Sequence, residues 1–321
     1  MTQNITVSRK SKFDVPDIKQ PSQDKNKRRR KAVITGSHFT ALLFLLPALI
    51  IFLIFVVWPI IQSANYSLLK WDGIHDPVNI GLANYQTLLT DPVFWRAITN
   101  NIVVVVWSLL TQIPLGIGLA ILLTAKLKGS AFFRTIYFAP LVLSEVLVAS
   151  IWGWIFNPNI GMLNSFLKSI HATPLGWMGD PNLVMLCILV VSTWRYLGFY
   201  IVIFIAAIQG IPEELYEAAR IDGGDGWQLH RFITIPLLMP TTRVNAALIM
   251  IGSLKFFDLV WVMSQGGPSH SSEVLATYMY KEAFQINDWG YASTIAFALF
   301  LLAFAFALVF LFLTRRQAKV T

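Results

Sequence analysis

The sequence predicts an all-α membrane protein with six transmembrane helices, and three observations carry that prediction. The 321 residues are 55% hydrophobic and only 13% charged, against roughly 25% charged in an ordinary soluble domain. Apolar runs of roughly 20 residues recur, each long enough to cross a hydrocarbon core as a helix. The basic residues are spread unevenly over the segments that join those runs.

Residues 1–38 hold ten of the 25 basic residues, including the run Lys25 to Lys31. With few apolar residues among them, they predict a disordered cytoplasmic tail. The apolar run that follows is too long for the core of a signal peptide. The basic cluster reads as a topology anchor, with binding of anionic membrane lipid as the alternative.

Six spans follow within a membrane domain of residues 39–321: 39–62, 101–124, 136–157, 183–208, 241–264 and 290–314. Pro47, Pro59, Pro114 and Pro140 fall inside them, which bilayer helices tolerate when neighbours satisfy the freed carbonyls. If the tail is inside, so are Lys126, Lys128, Arg134, Arg220, Arg231, Arg243, Arg315, Arg316 and Lys319. The outer loops keep only Lys70, Arg96, Lys168 and Lys281. That asymmetry puts both termini in the cytoplasm. It also accounts for the net charge of +8 without nucleic acid. Trp58, Trp71, Trp95, Trp152, Trp154, Trp177, Trp261 and Trp289 sit near outer span ends and read as interfacial anchors. The lone Cys187 excludes an intrachain disulfide.

One polar loop, 210–240, interrupts this pattern on the cytoplasmic side. Pro212 suits a helix start, and Glu213 and Glu214 favour the positive helix end. Gly223 and Gly224 end the helix with a left-handed cap. The expectation is a helix over 212–222, a sharp turn and a second helical piece over 225–232. Ala218 and Ala219 leave one side nearly bare. Such a helix serves either as a solvated connector or as an insert for a groove in another protein.

"EAARIDGG", with the later Trp227, Pro236 and Pro240, resembles the EAA loop of ABC-importer permeases. Glu217, Ala218, Ala219, Asp222 and Gly223 match the family pattern; Gly224 and His230 depart from it, where alanine and an aromatic are common. "FAPLVLSEVLVASIWGWIFNPNIGMLN" and "WVMSQGGPSHSSEVLATYMYKEAF" are similar to segments of the carbohydrate and glycerol-phosphate branch, as is "ANYQTLLTDPVFWRAITN". The resemblance covers about 40–321. It implies a multi-pass subunit of the cytoplasmic (inner) membrane, forming half of a translocation path. The implied partners are a second permease in a heterodimer, two cytoplasmic ATPase subunits and an extracytoplasmic solute-binding protein. It assigns ATPase coupling to Glu217, Ala218, Ala219, Asp222, Gly223 and Gly224. The solute it implies is a sugar or oligosaccharide, with glycerol phosphate or another class as the alternative. A stand-alone channel or secondary carrier is the rival from another class.

The chain holds no phosphate-cradling G-x-x-x-x-G-K-[ST] and neither H-E-x-x-H nor G-x-S-x-G. We therefore expect no catalytic residue, no metal site and no cofactor in this chain. The resemblance leaves ATP and Mg to the partner ATPase. Inside the spans, Glu145, Arg195, Lys255 and Asp258 are functional candidates by default. Lys255 and Asp258 are spaced to pair on one helix. Glu145 and Arg195 sit near the midplane and either pair or line a path. Trp194, Tyr196, Tyr200, Asn245 and Ser253 add aromatic and hydrogen-bonding groups at similar depth, which suits a sugar.

Overall fold

In the computed structural model, residues 40–41, 43–125 and 130–317 are described. The basic tail, Lys126, Lys128 and Lys319 lie outside them. Helix α1 (Leu43–Tyr66) is followed by an antiparallel pair, β1 (Leu69–Lys70) and β2 (Val78–Asn79), with Leu69 opposite Asn79. Then come α2 (Ala83–Thr90), α3 (Pro92–Thr124), α4 (Ser130–Val142), α5 (Glu145–Ile155), α6 (Met162–Ser169) and α7 (Val184–Gln209). The chain continues through α8 (Glu213–Ile221), α9 (Trp227–Leu237), α10 (Met239–Leu254), α11 (Asp258–Met263), α12 (Leu275–Phe284) and α13 (Trp289–Gln317).

Two compact units divide at Pro59. The first ends within α1, where Leu53–Val57 form a π-helical turn just ahead of Pro59, whose missing N–H disrupts the regular ladder. In the second unit α7 is the central helix: 56% of its apolar window is buried, against 28% for α3 and 6% for α13. Ala120, Leu123, Tyr200, Ile201, Phe204 and Ile249 form one core between α3, α7 and α10. Helix α4 lies against α7 at Gly198, where a Cβ would strike the Tyr137 carbonyl. Large apolar side chains left exposed, such as Phe304 and Leu308 on α13, suit hydrocarbon.

Among the described residues, four helices are long and apolar enough to span a membrane, and six candidates result if each bent pair counts as one. The departures from six straight spans have local causes. Between α4 and α5 the axis turns by 101°. Pro140 weakens the end of α4, and Ser144 starts a new helix by accepting the Leu147 N–H at 3.2 Å. Helices α9 and α10 meet at 62°, between Pro236 and Pro240. The expected fifth span ends early, at Leu254. Lys255 and Asp258 therefore sit on either side of a helix break and not on one helix. Among the described residues they form no ion pair.

At the end of the bundle opposite the polar loop, side chains stitch distant segments together. Asp91 caps α3 through the Val93 N–H at 2.8 Å. It also accepts the hydroxyls of Tyr278 at 2.5 Å and Tyr291 at 2.6 Å. Burial alone would raise this carboxyl, but those hydrogen bonds outweigh it and hold Asp91 below its usual range. Asn101, fully buried, donates to the Ser253 carbonyl at 3.2 Å and accepts the Leu275 N–H at 2.9 Å. Several of the expected interfacial tryptophans join this packing: Trp71 lies 6.4 Å from Trp289, and Trp177 lies 6.0 Å from Phe156.

Candidate functional site

The polar loop folds as a helix, a sharp turn and a second helix. Glu213 and Glu214 occupy the first turn of α8 and Arg220 its last, which complements the helix dipole at both ends. The helix closes with the Gly223 N–H on the Arg220 carbonyl at 3.1 Å and the Gly224 N–H on the Ala219 carbonyl at 2.8 Å. Gly223 has φ +86°, a conformation that penalises any residue with a Cβ. Gly224 is needed for space, because a Cβ there would meet the Ala219 carbonyl at 2.9 Å.

Beyond the turn, α9 carries a π-helical stretch, His230–Thr234, just ahead of Pro236. Its last residue, Thr234, is fully buried and holds the loop together. The Tyr216 hydroxyl reaches it at 2.9 Å and the His230 ring at 3.2 Å. The departure at His230 is thus accommodated by a hydrogen bond.

Of the six sequence-assigned coupling residues, Glu217, Ala218, Asp222 and Gly223 are exposed. Ala219 and Gly224 are half-buried and line a groove of about 450 Å³ with Leu229 and Phe232. Ile221, Trp227 and Phe232 surround the turn at 86%, 64% and 70% exposure. The sequence reading passed over Ile221 and Phe232 and took Trp227 only as a mark of the resemblance, although such an apolar patch on a polar loop is the usual mark of an interaction surface.

The intramembrane candidates divide into two groups. Arg195 is buried, and its guanidinium donates to the Pro140 carbonyl, one of the orphan acceptors at the end of α4. Glu145 accepts the Tyr196 hydroxyl and sits in the first turn of α5, where the helix dipole favours a carboxylate. Among the described residues the two form no ion pair. Each finds a partner elsewhere, and Arg195 Nε is left without one. Trp194 lies on a different face of α7, with its ring 5.6 Å from Trp152.

Tyr200 and Ser253 belong to the second group and line a buried cavity of about 120 Å³. Helix α3 contributes Val104, Ser108 and Gln112, and α7 contributes Ser192, Tyr196 and Tyr200, both at i, i+4, i+8 spacing. Helix α10 adds Ile249, Gly252 and Ser253, and Phe256 follows it. Asn245 stands one turn from Ile249 on the same face of α10. It is fully buried, and both its amide atoms lack a hydrogen-bond partner. Ser108, Gln112 and Ser192 were not anticipated, although polar residues four apart in an apolar run are the signal that would have found them.

Comparison with known proteins gives concordant results. The family model of the binding-protein-dependent transport system inner membrane component matches residues 112–319. The chain is 40% identical over 272 residues to a probable ABC transporter permease protein, YurN, of Bacillus subtilis, covering 83% of this chain and 93% of that protein. It is 33% identical over 270 residues to the lactose transport system permease protein LacF of Rhizobium radiobacter, covering 81% and 89%. Among solved structures, a bacterial alginate ABC transporter in complex with its alginate pentasaccharide-bound periplasmic protein contains a similar chain. The two superpose with a TM-score of 0.77 at 26% identity, over 90% of this chain and 98% of that one.

Proposed function

This chain belongs to the binding-protein-dependent transport inner membrane family, as the non-catalytic, multi-pass permease subunit of an ABC importer in the inner membrane. From that premise we propose that it forms half of a carbohydrate translocation path and is driven through its α8–α9 loop by a separate ATPase. The carbohydrate assignment is supported by the relatives, one of which is a lactose permease. It is also supported by the neutral, hydroxyl-rich cavity between α3, α7 and α10.

The single observation that carries the coupling is the geometry of the turn at Gly223. It presents Ala218, Ile221 and Trp227 to solvent while Tyr216 and Thr234 lock the two helices together. A groove on a cytoplasmic ATPase would seat this turn. Displacement of α8 would pass through Thr234 into α9, then α10, whose opposite end carries Gly252 and Ser253 in the cavity wall. Rigid-body rocking of this kind is an established route to alternating access. The partners proposed are a second permease, two ATPase subunits that bind ATP and Mg, and an external solute-binding protein.

The test is uptake of radiolabelled lactose, maltose and xylose by vesicles containing the co-expressed importer and its binding protein. The proposal expects ATP-dependent uptake of at least one of them. Uptake of none, alongside ATP-dependent uptake of another solute class, would overturn the carbohydrate assignment.

A further inference from the structure

We propose that the cavity behind the polar loop, between α8–α9 and the ends of α3 and α7, is a regulatory site for an uncharged sugar on the ATPase side, and that sugar accumulating there slows import. This rests on the carbohydrate reading and adds feedback by the imported solute. The cavity holds about 600 Å³, within the roughly 300–1,000 Å³ of small-molecule sites. Its floor is apolar, with Ile208 and Leu229 both buried. Its rim carries Glu213, Arg220 and Asp225, all exposed, and the half-buried Tyr216. Glu213, Tyr216 and Arg220 fall at i, i+3 and i+7, on one face of α8. The groove at Ala219 and Gly224 opens on a different face and shares only Leu229 with this cavity. An ATPase seated at the turn and a sugar in the cavity would therefore use different faces of the loop.

The chemistry of the rim selects the occupant. Among the described residues neither Glu213 nor Arg220 takes part in an ion pair, although both line one space. A sugar hydroxyl donates to a carboxylate and accepts from a guanidinium, so one molecule pairs with both. Hydrogen bonds to charged groups are the stronger kind. The Tyr216 hydroxyl is already taken by Thr234, which leaves its ring for the apolar side of a sugar. A phosphorylated solute would bring its charge beside Glu213 and Asp225, which repel it. The coupling proposed above needs α8 and α9 to move as one body against the bundle. An occupant that bonds to α8 while resting on the ends of α3 and α7 ties that body to the bundle. By binding this position of the loop better than a displaced one, it holds the importer there.

The test uses right-side-out vesicles containing the complete importer and loaded with ATP. They also hold, or lack, the unlabelled sugar of the lactose, maltose and xylose panel that the wild type imports best. Labelled sugar and binding protein are supplied outside, and the initial rate of uptake is read. Internal sugar should slow wild-type uptake at least fivefold, and a phosphorylated form of it at the same concentration should not. The double change Glu213→Gln with Arg220→Gln alters charge with little change of shape, as does Asp225→Asn alone. Without internal sugar both variants should import at the wild-type rate. With it, the double variant should lose most of the slowing and Asp225→Asn part of it. Wild-type uptake that internal sugar leaves unchanged, or slowing as strong in both variants as in the wild type, would overturn the site while leaving the importer intact. Equal slowing by the phosphorylated sugar would overturn the choice of an uncharged ligand. Import of no sugar by the wild type would overturn the carbohydrate reading itself.

Discussion

The Tyr216 hydroxyl lies 2.9 Å from the hydroxyl of Thr234, across the diglycine turn that joins α8 to α9. Thr234 is fully buried at the foot of the helix pair that leads into α10. This contact makes the two helices of the polar loop one mechanical body. Removing it costs about 1 kcal/mol, too little to unfold the protein but enough to let α8 swing. Tyr216→Phe and Thr234→Val should each keep ATPase association and lower the solute transported per ATP hydrolysed. The measurement is the ratio of uptake to phosphate release in the same vesicles. An unchanged ratio in both variants would show that the contact carries no force.

Gly223 and Gly224 should fail for different reasons. At Gly223 the penalty is backbone strain alone, about 1–2 kcal/mol for a residue forced into the left-handed region. Nothing lies within 4 Å of a Cβ there. At Gly224 the backbone angle is ordinary, and the obstacle is the Ala219 carbonyl. Gly223→Asn, tolerated in left-handed conformations, should therefore retain ATPase co-purification, whereas Gly223→Val should lose most of it. Gly224→Val should be defective, because a branched side chain cannot clear that carbonyl by a small shift. Equal recovery in Gly223→Asn and Gly223→Val would contradict the conformational argument.

Much of this architecture was legible in the sequence because it follows from local rules. Length and apolarity marked the spans, and a proline, two glutamates and two glycines marked α8 and its end. The break in the third span was not legible, because Pro140 occurs in straight helices as well. The 101° bend combines the local Ser144 cap with a tertiary contact, Arg195 taking the Pro140 carbonyl, that no single segment reveals. The same holds for Glu145, whose partner proved to be Tyr196 and not Arg195. Charge alone suggested the pairing, and helix rotation decided against it. The cavity was half visible: Tyr200 and Ser253 stood out, whereas Ser108, Gln112 and Ser192 acquire meaning only once three helix faces converge.

The segment after α11 depends on one buried carboxylate. Glu273 is fully buried and accepts from Lys281 at 2.5 Å and Thr277 at 2.6 Å, with the His270 ring at 2.9 Å. Replacing Lys281 by methionine strands that carboxylate, at about 3–5 kcal/mol. The double change Lys281→Met with Glu273→Gln should recover part of the loss. Thermal unfolding in detergent measures both. A Lys281→Met variant as stable as wild type would show that the pair is not needed.

The β1–β2 hairpin should respond to pH. Its Asp72 and His75 side chains meet at 2.5 Å. The hydrogen bond raises His75 above its ordinary 6.5 and, with the His75 and Ile74 backbone N–H groups, lowers Asp72 below 3.8. The His75 contribution is complete below 6.5 and is lost as pH rises through its raised value. The Asp72 contribution is complete above 3.8 and is lost as pH falls through its lowered value. The hairpin should resist proteolysis best between those ordinary values. His75→Ala should flatten the profile, and an unaltered profile in that variant would contradict the assignment.

The orientation of the spans follows from the distribution of positive charge. Reporter fusions after Arg134, Arg231 and Arg316 should all report the cytoplasm, and one after Lys168 the outer side. A reversed result at any of the four would displace the polar loop from the side where an ATPase could reach it.

The central claim is that the turn at Gly223 transmits ATP hydrolysis to the solute path. The most direct measurement is sugar uptake by vesicles containing the complete importer, with and without ATP, for the wild type and Gly223→Val side by side. The account predicts uptake that requires ATP in the wild type and falls at least tenfold in Gly223→Val, with the permease still present in the membrane at equal amount. Uptake that proceeds without ATP, or that persists at the wild-type rate in Gly223→Val, would contradict it.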